Sequence, residues 1–183
     1  MENNTYTGSW LSTLKQNVKV YNQTCITNMT KQGLLTSIKD YYINKWNTDN
    51  KRDNSKLRTY STFKNSLDQA EYITLINNRK HIKTMTQFRI SCHKLAIETG
   101  RHTQPKTPVE DRLCRHCNET EDEQHHLIHC KLYTKQRETM FNTIQNINPK
   151  FIQTEKKEQF KLILQSKQAE IIIALSIYLN TCK

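Results

Sequence analysis

Glycine and proline are scarce, three of each in 183 residues, so few positions force a helix to break. Acidic residues are also short. Seventeen Asp and Glu stand against 28 Lys and Arg, giving a formal charge of +11. That imbalance excludes nothing about fold, but it favours a polyanionic partner, nucleic acid above all. Long apolar runs are missing. The longest stretch, Ile171–Leu179, has about half the roughly 20 residues that a membrane-spanning helix needs, so no membrane partner is expected. The opening MENNTYTGSW has neither the basic nor the apolar region of a secretory signal. An intracellular protein, nuclear or cytoplasmic, is therefore expected. Its six cysteines then read as metal ligands and buried thiols rather than disulfides.

What is present favours a mainly α protein. Lys, Gln, Glu, Leu and Ile are abundant, and these are good helix formers. Composition divides the chain into four segments. Residues 1–53 hold two helical stretches, Trp10–Tyr21 and Lys31–Asn47. A turn-rich connector, NTDNKRDNSK (47–56), leads into a basic helical segment, 54–104. Residues 105–131 begin in a proline-containing loop and carry a Cys/His cluster. Residues 132–183 are helical again, interrupted near Pro149. Trp10, Leu14, Val18 and Tyr21 form one apolar stripe, and Ile38, Tyr41, Tyr42, Lys45 and Trp46 a second. The Ile171–Leu179 segment is apolar all round, so its helix is expected to be buried, either within the chain or against a partner. Charge is segregated: residues 54–104 carry nine basic and three acidic residues, residues 105–131 four basic and six acidic.

The cluster reads Cys114-x2-Cys117-x7-His125-x4-Cys130. A Cys-x2-Cys turn presents two thiolates to one ion, and two further soft or borderline ligands complete a tetrahedron that selects Zn²⁺. Thr120 and Glu123 match a capping box, so a helix is expected to start near Thr120. His125 and Cys130 would lie along it. His126 and Cys130, at i and i+4, form an alternative pair, and spacing leaves both histidines open. Four protein ligands would leave no position for water, so one structural Zn²⁺ between helices is expected, without metal catalysis.

The stretch Arg79–Ile97 reads as an amphipathic helix. Ile82, Met85, Phe88, Cys92 and Leu95 form its core stripe, and Gly100 a left-handed C-terminal cap. Cys92 and Cys25 are expected in the core, while Cys182 is given no role. Arg79, Lys80, Lys83, Arg89, Lys94 and Arg101 make the densest basic surface and are the expected contacts to nucleic-acid phosphates. Cys92 beside His93 has no third orienting group, so no nucleophilic catalysis is expected there.

Four pieces carry a family resemblance: KLRTYSTFK (56–64), TQFRISCHKLAIETGRH (86–102), PVEDRLCRHC (108–117) and EDEQHHLIHCKLYTKQR (121–137). Together they resemble the region downstream of the polymerase domain in non-LTR (LINE-type) retrotransposon reverse transcriptases. The last two resemble that family's zinc knuckle, and the match favours His125 over His126. The resemblance implies a helical region that helps hold template RNA or target DNA. The family's polymerase needs paired aspartates, and this chain has no Asp-Asp pair. Its six aspartates, Asp40, Asp49, Asp53, Asp68, Asp111 and Asp122, are scattered. A non-catalytic module is therefore expected, binding RNA or DNA, with a polymerase domain that lies elsewhere as a possible partner.

Overall fold

A computed structural model describes residues 30–50, 55–64, 66 and 68–182. The protein is mainly α-helical. Its chain divides into two compact units, Met1–Arg52 and Asp53–Lys183. The expected helix Trp10–Tyr21 and Cys25 lie outside the described residues.

In the first unit the described element is α1 (Lys31–Asn50). Thr30 caps it, its hydroxyl accepting from Gly33 N at 3.1 Å. Ile38, Tyr41 and Trp46 are half-buried, whereas Tyr42 and Lys45 are exposed. The rings of Tyr41 and Tyr42 meet edge to face, 5.4 Å apart.

The second unit contains α2 (Tyr60–Phe63), α3 (Tyr72–Leu75), α4 (Arg79–Arg89), α5 (Ala96–Thr99), α6 (Thr134–Ile147), α7 (Lys156–Gln165) and α8 (Ala169–Thr181). Helix α8 is its axis. Ile171, Ile172, Leu175, Tyr178 and Leu179 are buried along one side, and α4 and α6 both pack along it. Met85 and Phe88 come from α4, Met140 and Ile144 from α6, and Phe160, Ile163 and Leu164 from α7. The expected burial within the chain holds for that side only: Ile173 and Ile177 are 44% and 52% exposed. Cys182, given no role from sequence, is buried in the same core.

Helix α4 starts at a cap, Asn78, whose side chain accepts from Lys80 N at 2.9 Å. It ends at Arg89, eight residues short of the expected Ile97. Ser91 turns the chain with φ 54°, a left-handed conformation that breaks the helix. Ser91 Oγ and His93 Nε2 thereby reach Glu123. Cys92 consequently leaves the apolar stripe and is exposed, while Leu95 still packs on the core from the side.

Gly100 follows α5 with φ −64°, not as a left-handed cap. Its constraint is space: a Cβ there would stand 2.7–2.8 Å from Nε, Cδ and Cγ of Arg112. Arg112 is held by Thr107 O (Nε 3.0 Å, Nη2 2.8 Å) and by Ile97 O (Nη1 2.9 Å). It has little freedom to yield. Gly100→Ala is therefore expected to destabilise the second unit by about 1–3 kcal/mol, measured by denaturant unfolding.

Candidate metal centre

The site begins with a tight hairpin. Cys114 N donates to Glu119 O and Asn118 N to Cys114 O, both at 2.8 Å. Leu113 and Thr120 form an antiparallel bridge, and Glu121 N donates to Arg112 O at 2.9 Å. Asn118 takes φ 57° at the turn, a conformation asparagine tolerates better than most residues. The hairpin curls Cys117 back beside Cys114. Thr120 is thus part of the bridge rather than a helix cap, which corrects the expected helix start. The cap is Asp122, whose Oδ1 accepts from His125 N at 2.7 Å, and helical structure begins at Glu123.

His125–His129 then forms a single π-helical turn, closed by Cys130 N donating to His125 O at 2.8 Å. In an α-helix, five steps of about 100° would set residues 125 and 130 roughly 140° apart. The wider turn, with its i→i+5 closure, puts both on one side. Cys130 Sγ lies 3.9 Å from Cys114 Sγ and 4.0 Å from Cys117 Sγ. Thiolates sharing a tetrahedral ion at about 2.3 Å stand about 3.8 Å apart. Ligand atoms of Cys114, Cys117, His125 and Cys130 all fall within 4.8 Å of one another. The chain therefore brings together the four expected ligands in a cluster that can hold a metal ion.

Surrounding groups fit an ion at this point. His125 is 2% exposed, and its Nε2 is buried without a hydrogen-bond partner. Its Nδ1 faces Glu119 Oε2 at 3.2 Å. Lys131 N donates to Cys117 Sγ at 3.2 Å, and the buried Arg137 donates to Cys130 O at 2.7 Å. Burial, followed by the neighbouring thiols Cys114 and Cys117, pushes the Cys130 thiol up to about 12. A bound cation would favour the Cys130 thiolate over the thiol.

His126 points elsewhere. Its ring sits against Tyr133 at 4.8 Å, Tyr178 at 5.7 Å and Phe88 at 5.8 Å. Burial, then the neighbouring His93, His125 and Arg137, lowers it to about 4. It is a neutral core side chain, and Tyr178 Oη straps α8 to the π turn by donating to the His126 carbonyl at 2.6 Å.

Sequence reasoning missed the polar cluster behind the hairpin. Glu123 is fully buried. It accepts from Arg58 Nη2 at 3.1 Å, Thr59 Oγ1 at 2.9 Å, His93 Nε2 at 2.8 Å and Ser91 Oγ. Arg58 also pairs with Glu98. The signal was the second half of the supposed capping box, Glu123, whose side chain turns inward instead of back to the helix start.

The expected basic surface is only partly assembled. Arg79, Lys80, Lys83 and Lys94 are exposed. Arg89 is corrected: it is 8% exposed, donates to Leu164 O at 2.7 Å, and lies 4.5 Å over the Phe63 ring and 5.2 Å over the Tyr72 ring. Its place in the basic surface follows from charge alone, which does not show its reach to the end of α7. Arg101 is half-buried and pairs with Glu98 at 3.5 Å, so it is committed to the fold rather than to a free surface.

Comparison with protein-family models, with curated proteins and with solved structures finds no match to this chain.

Proposed function

We propose that the chain is a non-catalytic helical module, stapled by one structural Zn²⁺, that binds nucleic acid through backbone phosphates. Two observations carry this reading: the ligand atoms of Cys114, Cys117, His125 and Cys130 fall within 4.8 Å of one another, and His125 Nε2 is buried without a hydrogen-bond partner. Three sulfurs and one imidazole suit Zn²⁺ better than hard cations. When bound, the ion supplies cross-linking and charge neutralisation, because four protein ligands complete the tetrahedron. Cys114 and Cys117 hold it from the hairpin, His125 and Cys130 from the π turn. The free thiols fit an intracellular, reducing setting.

Nucleic acid enters through charge. The chain's excess of basic residues lies outside the acidic knuckle segment, and Arg79, Lys80 and Lys83 are exposed together on α4. The resemblance to the region after the polymerase of LINE-type reverse transcriptases supports the same reading and a retroelement origin. Cys92 offers no support for an enzyme: it is exposed, while His93 is held inward by Glu123.

Lys80→Glu, Lys83→Glu and Lys94→Glu combined are expected to weaken binding to single-stranded RNA. The slope of log affinity against log salt should become shallower by about 2. An unchanged slope removes α4 from the interface. A second reading is favoured by Ile173 and Ile177, which stand out from α8: a module that docks on a polymerase domain, with zinc purely structural. Absence of any RNA or DNA gel shift at low salt favours it.

A further inference from the structure

We infer that Glu119 is a positioning residue for the metal centre, its carboxylate fixing the tautomer of His125 so that Nε2 is left free for the ion. The inference rests on the metal-binding reading above.

The hairpin fixes where Glu119 can reach. Its carbonyl accepts from Cys114 N at 2.8 Å, so its backbone is tied to the first ligand. Asn118, with φ 57°, turns the chain immediately before it. From there Oε2 approaches His125 Nδ1 to 3.2 Å. A neutral imidazole carries one N–H and one lone pair. With the proton on Nδ1, it is donated to the carboxylate, and the Nε2 lone pair remains for a metal. With the proton on Nε2, the Nδ1 lone pair would face a carboxylate lone pair, and a buried N–H would be left without an acceptor. The first arrangement satisfies every group, and it is the usual way a second partner orients a metal-bound histidine.

Glu119 is 59% exposed on its side chain and also stands 3.9 Å from His129 Nε2. Glu119, His125 and His129 could together hold an ion of their own. That site would need His125 Nδ1 as a ligand, so it competes with the role assigned to Glu119 and gives an opposite result.

The test uses the full chain, with Zn²⁺ and Co²⁺ titrated against a competing chelator. Variants are Glu119→Ala, Glu119→Gln and Cys130→Ser, and ¹⁵N NMR reads the protonated ring nitrogen of His125. Glu119→Ala is expected to weaken Zn²⁺ about 10- to 100-fold, with one ion per chain and the thiolate-to-Co²⁺ bands retained. Glu119→Gln, whose amide oxygen still accepts from Nδ1–H, should keep most of the affinity. NMR should find the proton on Nδ1 in the wild type. Unchanged affinity in Glu119→Ala, or coordination through Nδ1, overturns the role of Glu119 while the Cys/His centre stands. A wild type that takes up no ion, or a Cys130→Ser variant that binds as the wild type does, overturns the metal reading itself.

Discussion

Withdrawing the metal, by chelation or by Cys130→Ser, is expected to lower the thermal midpoint of the second unit by roughly 10 °C or more. Structural zinc contributes about 10–16 kcal/mol to folding where a small peptide has no other core. This unit has an apolar core around α8, formed by α4, α6 and α7, so its helices need not collapse without the ion. The loss is then set by linkage. At free zinc about 1,000-fold above its dissociation constant, binding stabilises by about 4 kcal/mol. Each kcal/mol corresponds to about 2–4 °C for 150–250 residues, and to more in a unit as small as Asp53–Lys183. The damage should be local. The hairpin around Cys114–Glu119 is held by few backbone hydrogen bonds, so its amide exchange should accelerate first, ahead of α8. Differential scanning calorimetry with and without chelator, followed by hydrogen exchange, checks both parts. A midpoint unmoved by chelation would mean that the four ligands do not hold a structural ion.

Replacing Glu123 by alanine is expected to cost about 3–5 kcal/mol, the range for breaking a buried charged network from one side. The carboxylate is fully buried, and its loss would strand Arg58 with only Glu98 and leave Ser91, Thr59 and His93 without their acceptor. These partners come from the segments before α2 and after α4, so one side chain ties three parts of the chain together just ahead of His125. Burial alone would push this carboxyl up. The His93 hydrogen bond, the Arg58 charge and the Ser91 hydrogen bond outweigh it and hold Glu123 at about 2. A depressed carboxyl contributes stability above its unfolded value of 4.5 and loses it as pH falls toward 2. The gap between wild type and Glu123→Gln in urea unfolding should therefore narrow across that window. A gap independent of pH would show that the glutamate contributes by shape alone.

The helical class was legible because glycine and proline are few and the apolar spacing is regular. Met85 and Phe88 sit in the core as their spacing implies. The expected extension of that helix to Ile97 was not right, because nothing local distinguishes Ser91 from a helical serine. Only a buried acceptor 32 residues on, Glu123, gives its left-handed turn a compensating hydrogen bond. Arg89 was misplaced for a similar reason: a long guanidinium on a helix edge can turn inward to a carbonyl and two rings, and spacing does not encode that. The Cys/His cluster that can hold a metal ion is legible because thiol spacing is a strong constraint. Spacing leaves both His125 and His126 open, because His126 and Cys130 at i and i+4 are also a workable helical pair. The π turn brings His125 and Cys130 to one side, and it is a feature of the folded chain, not of the pattern. Glu119 was invisible as a partner because it lies in an acidic run whose members look alike in sequence.

Native mass spectrometry of the purified full chain, with elemental analysis, tests the central claim most directly. The account predicts one zinc per chain, lost in Cys114→Ser and Cys130→Ser and retained in His126→Ala. A folded chain carrying no metal, or one that keeps its zinc in Cys130→Ser but loses it in His126→Ala, would contradict it.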